Sequence, residues 1–246
     1  MLQATLNGPL TKADHPAVPT TLGELIDDAR HCARAGAECF HVHPRDENGR
    51  EQLTANVVDH VARAVRDACG VPVGVTTGAW IEPDIERRVA SVRSWTTPDY
   101  ATVNLSEPGS DEVMQALLDA GIGIEAGIWT VEDVHRLAAT GLAGAVLRVC
   151  IEPVDVEATG AVAFVDEIHR VLDRYEIGAP RLQHGDGDAT WVLLTDAVRR
   201  GLSTRIGLED TIYLPDGAPA AGNEALVAAA MALISGREAR SSRSAP

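Results

Sequence analysis

Glu38-Cys39-Phe40-His41-Val42-His43 is a short, mostly apolar run, and beyond a loop it gives way to a helical pattern from about Thr54 to Ala68. A run of this length bounded by small residues (Ala35-Gly36-Ala37 before, Asn48-Gly49 after) reads as a strand, and the segment after it as a helix. On a strand, residues two apart share a face, so His41 and His43 project together. Two imidazoles on one face make half of a metal site.

The same strand-then-helix unit recurs along the chain. Ala4 to Asn7 is the first strand, with a helix opening at the capping box Thr21-Leu22-Gly23-Glu24 and running to about Ala35. Further strands are expected at Pro72–Thr76, Tyr100–Leu105, Gly123–Gly127, Ala145–Cys150, Arg181–His184 and Thr204–Leu208. Helices follow near Glu82-Pro83, Ser110, Thr130, Ala161, Ala189 and Asn223. Eight such units with no polar linker between them favour a closed (β/α)8 TIM barrel. An open doubly wound sheet is the alternative, but the G-x-G-x-x-G phosphate signature after the first strand is missing. Residues 1–246 are expected to form a single barrel domain, with a tail at 240–246 that frays.

Composition narrows the partners. Hydrophobic residues make up 45% of the 246, aromatics only 4%, which suits helices packed on a sheet built from Ala, Val, Leu and Ile. A net charge of -15 argues against nucleic acid, which needs clustered Lys and Arg. Cys32, Cys39, Cys69 and Cys150 contain no C-x-x-C pair and read as reduced thiols. No basic leader begins the chain and no apolar run is long enough to span a bilayer, so a cytoplasmic protein with no membrane partner is expected.

In a barrel of this kind the chemistry sits at the C-terminal ends of the strands. Those ends carry Asn7, His41 with His43, Thr76 with Thr77, Asn104, Glu125, Arg148 or Glu152, His184, and Glu209 with Asp210. The histidine pair alone fits two readings, metal ligands or a packed polar layer, and Glu209 at the end of strand eight moves the balance toward ligands. A set of two histidines and one carboxylate suits zinc or iron. Within Arg205-Ile206-Gly207-Leu208-Glu209-Asp210, alternation places Arg205, Gly207 and Glu209 on one face, and Gly207 leaves room for a bound molecule or for close packing. Of the adjacent carboxylates, one can hold the metal while the other takes a proton. Arg205 either binds a substrate carboxylate or keeps a neighbouring acid ionised. Thr76, Thr77 and Asn104 are neutral hydrogen-bonding groups that serve equally as caps. Glu125, an acid inside an apolar strand, has to be paired or functional.

His41-Val42-His43-Pro44-Arg45-Asp46 with Asn48-Gly49, Thr76-Thr77-Gly78, Arg205-Ile206-Gly207-Leu208-Glu209-Asp210, Tyr213-Leu214-Pro215-Asp216-Gly217 and Asn223-Glu224-Ala225-Leu226-Val227 occur in this order. Together they resemble the β-keto acid cleavage enzymes, of which 3-keto-5-aminohexanoate cleavage enzyme is the best-known kind. The resemblance implies a zinc-dependent barrel that condenses a β-keto acid with acetyl-CoA and yields a new CoA thioester and acetoacetate by Claisen and retro-Claisen steps. It also implies His41, His43 and Glu209 as zinc ligands, Arg205, Asp210 and Glu125 as catalytic residues, and Thr77 as a substrate-contacting hydroxyl. Thr76, Asn104 and Asn7 are the accompanying substrate-binding candidates, and a homo-oligomer, tetramer or dimer, is expected. The sequence departs from the family pattern at Asn7-Gly8-Pro9-Leu10, where some members carry an acid, and at Thr211, where Asn often follows the acidic pair. Two other readings use the same ligands: a metal-dependent aldolase or hydrolase acting with water, and a non-catalytic ligand-binding barrel.

Overall fold

In the computed structural model, which describes residues 1–243 and side chains through Arg237, eight parallel strands alternate with eight helices. The strands are β1 (Leu2–Thr5), β2 (Cys39–Val42), β3 (Val73–Thr76), β4 (Tyr100–Asn104), β5 (Gly123–Ile128), β6 (Arg148–Ile151), β7 (Arg181–Gln183) and β8 (Thr204–Ile206). They pair in the order β7-β6-β5-β4-β3-β2-β1-β8. Closure comes from a parallel bridge between Leu182 and Ser203, with Gln183 N–H donating to the Ser203 carbonyl at 2.9 Å. The fold is the expected (β/α)8 barrel. The tail expected to fray, 240–246, has its side chains outside the described residues, and 244–246 lie outside them entirely.

The helices are α1 (Leu22–Ala35), α2 (Ala55–Cys69), α3 (Ile85–Arg93), α4 (Ser110–Ala120), α5 (Val131–Thr140), α6 (Ala158–Arg174), α7 (Thr190–Arg200) and α8 (Asn223–Arg243). Capping boxes start two of them: Thr21 with Glu24 at α1, Thr130 with Asp133 at α5. At α3 the start slips past Pro83 to Asp84, whose carboxylate accepts from Arg87 N–H at 3.0 Å.

Alternation along the strands divides the interior into two chemically distinct zones. Phe40, Val42, Val73, Val75, Ile124 and Ile128 face the helices and are fully buried, forming the apolar layer between sheet and helix ring. Pointing the other way, into the barrel, are Gln3, Thr5, His41, Tyr100, Glu125 and Arg205, all buried and all polar. Buried polar groups persist only when hydrogen-bonded or paired, so the barrel axis is occupied by a connected polar network. Among the described residues no helix is long and apolar enough to cross a membrane. All four cysteines are free thiols.

The end of β8 differs from a plain extension of the strand. Ordered pairing stops at Ile206, and the Gly207 carbonyl accepts from both Asp210 N–H and Thr211 N–H at 3.0 Å, making a tight turn. A Cβ on Gly207 would lie 1.8 Å from the Thr5 carbonyl oxygen, so this glycine lets β1 and the turn touch. Of the two uses expected for Gly207, it serves close packing. Glu209 and Asp210 reach the barrel mouth by this turn and not by strand alternation.

Candidate metal centre and its pocket

His41 leaves β2 pointing into the barrel, His43 follows just past its end, and the β8 turn brings Glu209 over to meet them. Glu209 Oε1 lies 3.8 Å from His41 Nε2 and 3.6 Å from His43 Nε2. One ligand atom from each residue falls within 4.8 Å of the other two. Both imidazoles are 2% exposed, which leaves little room for a purely solvated role. Glu209 Oε2 is buried and, among the described residues, has no hydrogen-bond partner. A carboxylate with one oxygen beside two imidazole nitrogens and the other buried without a partner is an arrangement that a divalent cation would satisfy.

The other ring nitrogens fix which face each histidine presents. His43 Nδ1 is 2.6 Å from Glu51 Oε1, a carboxylate that only accepts, so Nδ1 carries the hydrogen. His41 Nδ1 is 3.2 Å from the Thr102 hydroxyl, which itself donates to Glu125 Oε1 at 2.7 Å and must accept from the ring. Both histidines therefore turn a lone pair at Nε2 toward Glu209 once neutral. Without a cation the charges divide unevenly. Burial pushes His41 down to about 4, against the pull of Glu209. At His43 burial acts the same way, but Glu209 and Glu51 outweigh it and raise the group to about 9. Glu209, despite burial, is held well below the usual carboxylate range by Arg205 and the histidines.

Arg205, 2% exposed, anchors the acids on the β8 side. Its Nη2 donates to Asp210 Oδ1 at 2.7 Å, Glu152 Oε1 at 3.1 Å and Glu209 Oε1 at 3.2 Å. Asp210 also accepts from the Thr5 hydroxyl at 2.7 Å. Burial raises the Asp210 carboxyl above its ordinary value, opposed by Arg205 and His184. Glu152 is half-buried, and against its desolvation Arg205 and His184 draw it down to about 2. A second group, Cys150, Glu152 and His184, also gathers ligand atoms within 4.8 Å. Arg205 already supplies the positive charge there, so a second cation would have to compete with a guanidinium.

A cleft of about 350 Å³ opens above these groups, lined by Thr76, Asn104, Trp80, Trp129, Glu152 and Asp186 among others. Thr76 Oγ1 accepts from Gly78 N–H at 3.1 Å, leaving its O–H for a ligand. Asn104 gives its Nδ2 to Glu107 at 2.8 Å, leaving its carbonyl oxygen free to accept. The other expected site residues lie behind this surface. Thr77 donates its hydroxyl to the Thr102 carbonyl at 2.7 Å. Asn7 clamps the backbone of His43 from both sides, donating to its carbonyl at 3.0 Å and accepting from its N–H at 2.9 Å. Glu125 sits one layer below, ion-paired with Arg148, and touches the site through Thr102 and His41.

Glu51 and Trp80 were not among the sequence candidates. Glu51 returns to His43 because Arg45 and Glu51 form an antiparallel bridge around the Asn48-Gly49 turn. That turn dipeptide was the one available signal. The arginine and aspartate of H-x-H-P-R-D hold loops in place: Arg45 donates to the Gly8 and Leu10 carbonyls at 2.9 and 2.6 Å, and Asp46 accepts from Asn48 and Arg50 N–H.

A parallel eight-stranded barrel, with two histidines and a carboxylate clustered beside an Arg–Asp pair at its strand ends, defines the class. The family model "beta-keto acid cleavage enzyme" matches residues 1–244, and the chain belongs to that family. Curated relatives include two 3-keto-5-aminohexanoate cleavage enzymes. The one from Fusobacterium nucleatum is 23% identical over 89% of this chain and 84% of its own. That from Acetoanaerobium sticklandii is 22% identical over 89% and 85%. Among solved structures, ObcA in a ternary complex with a C4-CoA adduct and oxalate superposes with a TM-score of 0.71 at 16% identity. The alignment covers 91% of this chain but spans 65% of ObcA, so at that identity it speaks for the fold.

Proposed function

We propose that this β-keto acid cleavage enzyme is zinc-dependent and uses acetyl-CoA as co-substrate, converting R–CO–CH2–COO⁻ and acetyl-CoA into R–CO–SCoA and acetoacetate. The single observation that carries the reading is the convergence of His41, His43 and Glu209 beside Asp210, with Glu209 Oε2 left without a partner among the described residues. When bound by these three residues, zinc supplies Lewis acidity that makes the carbon between ketone and carboxylate acidic. Nitrogen and carboxylate donors in this number suit zinc, with iron as the competing choice.

The protein's own groups then divide the work. Asp210, raised by burial, accepts the proton from that carbon. Arg205 fixes the orientation of Asp210 through Nη2 at 2.7 Å and Nε at 3.1 Å. The carbanion attacks the thioester carbonyl and expels the CoA thiolate, which then attacks the R-acyl carbon. The carbon–carbon bond to that acyl group breaks, and Asp210 returns its proton to the departing carbanion to give acetoacetate. Thr76 donates to a substrate oxygen and the Asn104 carbonyl receives a substrate donor. Glu125, Thr77 and Asn7 support the site from behind.

Metal analysis of the purified protein should find close to one zinc per chain. A screen of β-keto acids should release acetoacetate only when acetyl-CoA is present. His41→Ala and Glu209→Ala should lose both metal and turnover. Turnover in the absence of acetyl-CoA would overturn the acyl-transfer reading in favour of an aldolase or hydrolase. Full activity in a metal-free variant would overturn the zinc role.

A further inference from the structure

We propose that Glu51 and Trp80 form an outer bracket around His43 that sets how tightly this ligand holds its divalent cation, which makes Glu51 a positioning residue of the centre. The proposal rests on the metal-site reading above and concerns two residues outside the ligand set. Glu51 reaches His43 by a rigid route. Gln52 N–H donates to the Pro44 carbonyl at 2.9 Å, and Asp46 N–H to the Arg50 carbonyl at 2.9 Å, so the loop folds back as a small hairpin. Arg45 ties the same loop to the one after β1. The returned carboxylate has two side-chain partners among the described residues: His43 Nδ1 at 2.6 Å, and Trp80 Nε1 at 3.2 and 3.4 Å from its two oxygens.

Trp80 completes the arrangement. Its ring stacks on His43 with centroids 5.9 Å apart and planes 26° from parallel. The ring folds back against Gly78, where a Cβ would lie 2.4 Å from it, so this close approach needs glycine. Although Trp80 is 52% exposed, it covers the imidazole on the solvent side and donates its N–H to the carboxylate that orients the same imidazole.

The two histidines are therefore held unequally. His41 Nδ1 meets a neutral hydroxyl at 3.2 Å, whereas His43 Nδ1 meets an anion at 2.6 Å. A carboxylate behind a ligating imidazole fixes its tautomer and ring orientation and raises the basicity of the opposite nitrogen. His43 is then the stronger ligand, and removing Glu51 acts on affinity without touching a ligand atom.

The test is the zinc dissociation constant of metal-free protein, measured by competition with a chromophoric chelator. Glu51→Ala should weaken zinc by about 10- to 100-fold. Glu51→Gln keeps an oxygen that accepts from Nδ1 but removes the charge, so its loss should be intermediate. It also covers the case in which the alanine variant fails to fold. Trp80→Phe keeps the stack and removes the N–H, and should weaken zinc less than either. Glu47→Gln, an exposed acid on the same loop, should bind as wild type does. Wild-type affinity in both Glu51 variants overturns the bracket while leaving the metal reading intact. A wild-type protein that binds no zinc overturns the metal reading, and the bracket falls with it.

Discussion

Asp210 Oδ1 takes two hydrogen bonds from one guanidinium, from Arg205 Nη2 at 2.7 Å and from Nε at 3.1 Å, with both residues 2% exposed. The same Nη2 also faces Glu209 and, from just beyond β6, Glu152, so three acids share one cation. Lysine offers a single ammonium without the planar fork and cannot hold this geometry. Arg205→Lys should therefore lower kcat by at least about 100-fold, with bound metal largely retained. Arg205→Met removes the charge outright and should cost about 3–5 kcal/mol of stability, since buried Asp210 and half-buried Glu152 and Glu209 lose their shared cation. Steady-state kinetics and denaturant unfolding of the two variants check both statements.

Thr76 and Thr77 are adjacent, yet their hydroxyls serve different ends. Thr76 lines the cleft, and Thr77 donates to the Thr102 carbonyl at 2.7 Å behind it. Thr76→Val should raise KM or lower kcat, and because Gly78 N–H loses its acceptor it should also cost about 1–3 kcal/mol of stability. Thr77→Val leaves a buried carbonyl short of a donor and should cost about 1–3 kcal/mol of stability, with weaker effects on KM. The opposite order of effects on KM would place the substrate on Thr77.

What was legible before the structure follows from which features are local. Outward strand positions such as Phe40, Val42, Val73 and Val75 are apolar, and caps such as Thr21 and Thr130 sit at the helix starts. Short-range rules suffice to count eight units and close them. His41 and Arg205 were legible because both lie within strands, where a period of two fixes the face. Glu209 was found by identity, but its route through the Gly207 turn depends on contact with Thr5, a residue on another strand. Glu51 and Trp80 were missed because their positions come from a loop folding back and a ring resting on a glycine, neither of which leaves a periodic trace. Strand ends moved by a residue or two for a similar reason: at β1 the ladder gives way to Asn7, whose amide pairs with the His43 backbone.

Glu125 separates positioning from direct chemistry. It is fully buried, ion-paired with Arg148, and accepts from Thr102 at 2.7 Å and Gln3 at 3.2 Å. Burial favours its neutral form, but Arg148 and His41 hold it below the ordinary carboxylate range. Glu125→Gln should leave Arg148 uncompensated in the barrel and cost about 3–5 kcal/mol. The double variant Glu125→Gln/Arg148→Met should recover much of that stability. If Glu125 acts through Thr102 and His41, kcat should recover along with stability. A kcat that stays low in a restabilised protein would assign Glu125 a direct part in the reaction.

Asp28 on α1 provides a pH test away from the metal centre. Its Oδ2 accepts from Asn223 Nδ2 at 2.6 Å. The same amide nitrogen donates to the Leu6 carbonyl at 2.7 Å, and Asn223 Oδ1 accepts from Leu208 N–H at 2.6 Å. Asn223 thus ties the ends of β1 and β8 to α1, with Asp28 as the outermost member. Burial pushes Asp28 up to about 6, with the Asn223 donor acting in the opposite direction. Its folded pKa exceeds the unfolded one, so between those values the folded chain binds more protons. This group's contribution to stability therefore falls as pH rises toward 6 and stays low above it. Asp28→Asn keeps an oxygen to accept from Asn223 and has no charge to bury. The variant should melt close to wild type below about pH 4, where Asp28 is protonated in both the folded and the unfolded chain. At pH 7.5 it should gain on the order of 1 kcal/mol, roughly 2–4 °C for a chain of this size. Melting curves of both proteins across that range settle the sign: a wild type that gains on the variant as pH rises would mean Asp28 is stabilised as the anion.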